Sequence, residues 1–293
     1  MALTHTETFP VRYYECDAYG HVNNANYPRY MAEAAAAASA QAGYDRDRYH
    51  EMGKSWLIRD TKVEYIKPIQ MGDIFEIKTW VLDFHRVRSR RVYEFRLAGS
   101  DELMARGITD WIFLDTGKLV PLKIPEAMKT AFLPEGPPVE APQREPFPKP
   151  PPEPTGAVTV KRKAAWGDVD PSGHVNNARY FSYLEDAGWE AVNTFGITMQ
   201  SFFDLGYASV IRKTRIEYLK QVRYGDELEI TTYLSDVKRV TLKRHFILKK
   251  ADTQEVVARA YYYLANIDFN TGKPVRMPES VLTALAPHIS ENT

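Results

Sequence analysis

Apolar and polar positions alternate along several stretches of this chain. Tyr93, Phe95 and Leu97 fall on one side of an extended segment and Glu94 and Arg96 on the other, and Leu228, Ile230, Thr232 and Leu234 repeat the pattern. A period of two belongs to a strand with one covered face. The segments 56–69, 74–85, 87–98 and 103–114 are rich in β-branched and aromatic residues, which predicts antiparallel meander strands. A further strand is predicted over 9–15. Residues 27–42 break the alternation with strong helix formers, Asn26 offering an N-cap, Pro28 sitting in the first turn and Gly43 supplying a left-handed C-cap. The run Ala34 to Ala38 makes this helix apolar all round, so it is expected to be enclosed by the sheet.

The pattern occurs twice. Gly20-His21-Val22-Asn23-Asn24-Ala25 recurs unchanged as Gly173-His174-Val175-Asn176-Asn177-Ala178, 153 residues later. The same offset relates Asp17 to Asp170, Tyr27 to Tyr180, Gly43 to Gly196, Glu64-Tyr65 to Glu217-Tyr218, Gly72-Asp73 to Gly225-Asp226 and Ala105-Arg106 to Ala258-Arg259. A period of that size is a whole domain, far above the ~20–50 residues of a solenoid repeat. Two domains, 1–132 and 157–293, are therefore expected around a linker at 133–156 whose ten prolines favour a stiff extended strap.

Composition narrows the function. The 293 residues carry 38 basic and 38 acidic side chains, without the basic excess that nucleic acid requires. The single cysteine, Cys16, excludes an intrachain disulfide and a Cys-rich zinc module, and no spacing reads as a metal site. No run approaches the ~18 apolar residues of a membrane span, and residues 1–10 lack a basic stretch leading into an apolar one. A cytoplasmic protein without membrane or nucleic-acid partners is expected.

The repeated block carries the candidate chemistry. Residues 15–24 and 168–177 each set a carboxylate, an imidazole and two carboxamides on a tight turn ahead of a helix. Unpaired N–H groups and the positive dipole end at a helix start favour an oxyanion, worth about 3–4 kcal/mol per well-aimed donor. A carboxylate beside them can attack a carbonyl or deprotonate water. The plainer alternative makes Asp17 and Asp170 turn formers and the asparagines caps. Against it, the block survives in both copies while its flanks differ, as with Tyr13 against Trp166 and Ala18 against Pro171. Cys16 has Val169 as its counterpart and reads as small filler.

The second copy reads Asp-x-Asp-x-x-Gly-His-Val-Asn-Asn-Ala-x-Tyr, with Glu217-Tyr218-Leu219-Lys220 before Gly225-Asp226. The first has Glu15 for the leading aspartate and Glu64-Tyr65-Ile66-Lys67-Pro68 before Gly72-Asp73. These residues resemble the hotdog-fold thioesterases of the 4-hydroxybenzoyl-CoA type, and also double-hotdog acyl-carrier-protein thioesterases. The resemblance implies an α+β fold of two tandem hotdog domains, each a long central helix wrapped by an antiparallel sheet of about five strands, paired as an intrachain pseudo-dimer. It implies catalytic roles for Asp17, Asp170, His21 and His174, and oxyanion or positioning roles for Gly20, Gly173, Asn23, Asn24, Asn176 and Asn177. Plant-type double hotdogs place a glutamate where this chain has Gln221 and, in the first copy, Pro68, a departure that leaves Gln221 as the candidate water-positioning residue. Tyr27, Tyr180, Phe202 and Phe203 are expected against the acyl group, with ordinary core packing of a short helix as the alternative for Phe202 and Phe203. From their charge alone, Arg91 and Arg244, among the basic residues 86–91 and 238–244, are candidates to grip coenzyme A phosphates or an acidic carrier, with plain exposed-strand charge as the favoured alternative.

The implied reaction is hydrolysis of an acyl thioester, acyl-CoA ahead of acyl carrier protein, with no cofactor beyond the coenzyme A of the substrate and with a homodimer of the double chain as the assembly. Two other readings compete. Gly167-Asp168-Val169-Asp170-Pro171 with His174 resembles the Asp-x-Asn-Pro-x-His signature of hotdog enoyl-CoA hydratases and dehydratases, but with aspartate for asparagine and the histidine one residue late. A non-catalytic acyl-ligand binder is disfavoured by the presence of both aspartates.

Overall fold

In the first unit, Met1–Pro146, the chain forms β1 (Thr4–Pro10), α1 (Tyr27–Gln41), α2 (Arg46–Glu51), β2 (Lys54–Tyr65), β3 (Ile74–Phe84), β4 (Arg88–Leu97), β5 (Leu103–Asp115) and α3 (Glu126–Phe132). Its strands run antiparallel in the order β1-β3-β4-β5-β2. The second unit, Phe147–Thr293, repeats the plan. Here β6 (Val158–Lys163), α4 (Arg179–Thr194), α5 (Met199–Asp204), β7 (Tyr207–Tyr218), β8 (Glu227–Ser235), β9 (Thr241–Lys250), β10 (Val256–Asp268) and α6 (Glu279–Leu285) give the order β7-β10-β9-β8-β6. The computed structural model describes residues 2–136 and 142–291, with Phe203 described by its backbone alone. These are two tandem hotdog domains, as the sequence implied.

One residue pair shows how closely α1 lies on its sheet. Gly107 of β5 faces Met31 of α1, and a Cβ there would stand 2.7 Å from the Met31 sulfur. Glycine at this strand position lets the helix sit down on the sheet.

Several expectations need correction. The first strand ends at Pro10, which has no N–H for a ladder, and residues 13–15 form a single 3-10 turn instead. Asn26 does not cap α1: its side chain accepts from Arg29, whereas Asn23 caps the short turn before the helix by accepting from the Ala25 amide at 2.7 Å. Nor is α1 enclosed all round. Tyr27, Tyr30, Met31, Ala34, Ala35 and Ala38 are buried, while Glu33, Ala36 and Ala40 face outward. Small residues made both faces read as apolar. Pro28 does lie in the first turn, and Gly43 and Gly196 adopt the left-handed conformation that ends each central helix.

The proline-rich segment is divided between the units. On the first, Arg144 donates to both Asp83 and Asp110, Arg90 pairs with Asp83, and Arg90 also reaches the Pro142 carbonyl at 2.6 Å. On the second, the hydroxyls of Tyr233 and Ser290 donate to the carbonyls of Pro151 and Pro152 at 2.7 and 2.6 Å. There the sheet has both faces covered, and Thr231, Tyr233, Ser235 and His245 are buried on the side where one-faced alternation predicts exposure.

Burial pushes the Asp83 carboxyl up, but Arg90, Arg144 and His85 outweigh it and hold it below the usual carboxylate range. Replacing Arg144 by methionine leaves two buried carboxylates short of a cation. We expect a loss of about 3 kcal/mol for the first unit, measured as a lower urea midpoint at an unchanged slope. Among the described residues no helix is long and apolar enough to cross a membrane.

Candidate active site

Each repeated block folds back on itself. Cys16 pairs with Val22 in an antiparallel bridge, the Asp17 amide donates to the His21 carbonyl at 2.8 Å, and the Gly20 amide donates to the Asp17 carbonyl at 3.0 Å. The second block copies this with Val169 and Val175, Asp170 and His174 at 3.0 Å, and Gly173 and Asp170 at 2.9 Å. The turn needs a left-handed residue at its fourth position, and Gly20 and Gly173 supply it at φ +77° and +81°. Val22 and Val175 then anchor the turn, each donating to a carbonyl, of Ile69 and of Val222, at 2.8 Å.

The two aspartates are held differently. Asp17 accepts from the amides of Tyr19 and His21 at 2.9 and 3.3 Å. Asp170 accepts from both the amide and the hydroxyl of Ser172 on one oxygen, and from the Asn176 carboxamide at 3.2 Å on the other. The Ser172 hydroxyl also lies 3.4 Å from His174 Nδ1, which joins Asp170, Ser172, His174 and Asn176 into one polar group. Asn176 caps the following turn through the Ala178 amide at 2.9 Å. Asn24 and Asn177 are fixed through their carbonyls, which accept from Tyr65 and Tyr218 at 3.2 and 2.9 Å.

A second acid lies under each turn. Glu15 and Asp168 are 8% and 2% exposed. Glu15 accepts from Tyr30 at 2.6 Å and from the Arg12 amide at 2.8 Å, and pairs with the Arg12 guanidinium at 3.2 Å. Asp168 accepts from Tyr183 at 2.6 Å, the Ala165 amide at 2.9 Å and Arg179 at 2.7 Å. Their own carbonyls accept from the Asn23 and Asn176 amides, both at 2.9 Å. These acids fix the first turns of the block to the central helix. In the sequence these acids stand out only as letters of a motif, although a tyrosine fifteen residues later accompanies the acid in both copies.

Burial and the nearby Arg223 charge lower the His174 pKa against the opposing pull of Asp170, so the ring is neutral at neutral pH. Removing the charge with Arg223→Gln should raise it, read from the ring-proton NMR titration. The Cys16 thiol is raised, by burial and then by Asp17 and Glu15, and stays protonated, which disfavours it as a nucleophile.

Other candidates lie elsewhere. Gln221 is half-buried beside Val222, and its side chain makes no hydrogen bond among the described residues. Tyr27 and Tyr180 are buried, their rings edge-on to Tyr65 and Tyr218 at 5.0 and 5.2 Å. Phe202 packs between Trp189 and Tyr207, and the side chain of Phe203 lies outside the described residues. Arg91 and Arg244 are buried on the helix-facing side of β4 and β9, in line with Tyr93 and Phe246, so a grip on solvent-facing phosphates does not fit their position.

A carboxylate and a neutral imidazole thus share a tight turn in the second unit, just ahead of a helix start. In the first unit the Asn24 amide, which opens the turn leading into α1, takes no partner among the described residues. Such an arrangement can polarise a carbonyl and present a base to water.

Comparison with known proteins agrees with this architecture. A chloroplastic acyl-(acyl-carrier-protein) hydrolase of Cuphea viscosissima is 24% identical over 248 residues, 80% of this chain and 60% of the plant protein. The chain thus spans less than two thirds of that relative's length. An acyl-CoA thioesterase of Haemophilus influenzae is 29% identical over 118 residues, 40% of this chain and 85% of its own. The crystal structure of an acyl-ACP thioesterase from Bacteroides thetaiotaomicron has a TM-score of 0.70 at 17% identity, covering 89% of this chain and 97% of that one, and shares the fold. The thioesterase-like superfamily profile matches twice, over residues 11–132 and 164–285, and the chain belongs to that superfamily.

Proposed function

We propose that this protein hydrolyses acyl thioesters, acyl-CoA foremost, with Asp170 and Asp17 as the working carboxylates. One observation carries the reading: in both units a carboxylate stands on a glycine-closed turn a few residues ahead of the central helix. The substrate carbonyl would lie at that helix start, its developing negative charge taken up in the first unit by the Asn24 amide. The aspartate then takes a proton from water as the water oxygen adds to the carbonyl carbon. Collapse of the adduct breaks the carbon–sulfur bond, and the proton passes to the leaving thiolate. Free acid and free thiol result, and no other reactant is consumed. The same aspartate acting as nucleophile would reach these products through a mixed anhydride that water cleaves. His174, neutral and joined to Asp170 through Ser172, orients the group.

The test is thiol release from panels of acyl-CoA and acyl carrier protein thioesters. Turnover of at least one panel by wild type, and loss of it in the Asp17→Asn/Asp170→Asn double variant, is expected. Absence of release from every thioester in both panels would overturn the reading.

A further inference from the structure

Two arginines have no part in this chemistry. Arg91 on β4 and Arg244 on β9 stand at equivalent positions of the two repeats, each on the helix-facing side of its own sheet. They are only 6% and 7% exposed. Neither forms an ion pair among the described residues. Arg91 donates to the Thr79 hydroxyl at 3.4 Å and lies 5.6 Å from the Phe132 ring centre. Arg244 has less: a 3.3 Å hydrogen bond to the Gly188 carbonyl of α4. Its cross-strand neighbours are Leu234 of β8 and Tyr262 of β10, and Gly188 of α4 lies against its side chain; none of the three is acidic.

A guanidinium presents five donors in a planar fork, and a buried charge without a partner is costly. Burial lowers Arg244 to about 10, so it remains charged at neutral pH. Among the described residues, the arginine nitrogens found both fully enclosed and without a hydrogen bond belong to Arg144 and Arg259. Arg244 keeps 7% of its surface exposed, and Gly188 puts no side chain against its methylene stem. This is a nearly buried cationic fork that lacks an anion among the described residues.

Its position indicates which anion. Gly188 lies nine residues into α4, about 13 Å along the axis from the helix start. An extended chain advances about 3.6 Å for every three bonds, so roughly 11 bonds cover that distance. We propose that Arg244 receives the far carboxylate of a medium-chain dicarboxylic acyl group whose thioester carbonyl lies at the start of α4. This inference rests on the acyl-thioester reading of the same site and adds the substrate class to it. A carboxylate matches the fork in a bidentate pair. Coenzyme A phosphates lie on the thiol side of the scissile bond and would not reach this depth.

The experiment compares the full-length chain with Arg244→Met and Arg244→Lys in two assays. Calorimetry measures binding of free dodecanedioate and free dodecanoate, and thiol release measures the dodecanedioyl-CoA monothioester against dodecanoyl-CoA. Wild type is expected to favour the dicarboxylic member about tenfold or more in both assays, with Arg244→Met losing the preference and Arg244→Lys keeping part of it. Equal or better handling of the methyl-ended chain by wild type overturns the proposal without any variant, and so does a preference that survives Arg244→Met. If neither thioester is cleaved while dodecanedioate still binds through Arg244, the subsite stands and the hydrolysis reading falls.

Discussion

Replacement of Asp170 by asparagine is expected to lower kcat for thioester hydrolysis at the second unit's site by about 10³-fold with little change in KM. The substitution keeps shape and keeps an oxygen for the Ser172 amide and hydroxyl, so the turn should hold. What it removes is the capacity to take a proton from water or to attack carbon. Asp17→Asn makes the same change in the first unit, where Asp17 is held by the Tyr19 and His21 amides and its position corresponding to Ser172 is Tyr19. Asp170 belongs to a larger polar group that includes His174 and Asn176. We therefore expect Asp170→Asn to remove the greater share of total turnover. Thiol-release rates of the two single variants and the double variant decide the matter, and single variants that both match wild type would exclude the aspartates from the chemistry.

The second large effect concerns stability. Asp168 is 2% exposed and accepts from Tyr183, the Ala165 amide and Arg179 at once. Changing it to alanine leaves a buried hydroxyl and a partly buried guanidinium without their acceptor, and a loss of about 3–5 kcal/mol is expected. Urea unfolding followed in the second unit measures it, with Tyr183→Phe as the milder control because it deletes the donor along with the bond. Burial alone would raise the Asp168 carboxyl, yet its three donors hold it below the ordinary value. The contribution is therefore full above about pH 4, the usual unfolded value, and is lost as pH falls through the depressed folded value. An Asp168→Asn variant should show a flatter stability profile across that acid window, whereas a profile as steep as that of wild type would assign the acid sensitivity to other carboxylates.

The sequence revealed the larger features because they are periodic. A fixed 153-residue offset exposed the two domains, and β-branched runs predicted β3 at 74–85 against the observed Ile74–Phe84. The start of β1 is hidden because residues 4–8, Thr-His-Thr-Glu-Thr, contain no apolar residue to reveal their alternation, although they pair with β3 from Thr4 onward. In α1 the alanines obscured which face is wet, since a methyl group reads as apolar on either side. The Asp–Gly–His–Asn block was visible as a turn before a helix, but its buried foundation was not. Whether Glu15 or Asp17 faces inward depends on the 3-10 turn at 13–15, which no period announces. The burial of Arg91 and Arg244 was hidden for a related reason: charge suggests a surface, while strand register places these residues beneath a helix.

The clamp on the proline-rich strap has a consequence for proteolysis. Among the described residues of that strap the basic side chains are Arg144 and Lys149. Lys149 precedes Pro150, a bond that trypsin-like proteases pass over. Arg144 is followed by glutamate, but its guanidinium already occupies the carboxylates of Asp83 and Asp110. A protease whose specificity pocket also offers an aspartate must compete with them for the same cation. Cutting at this bond therefore waits on opening of the ion cluster, and its rate reports how often the first unit releases its end of the strap.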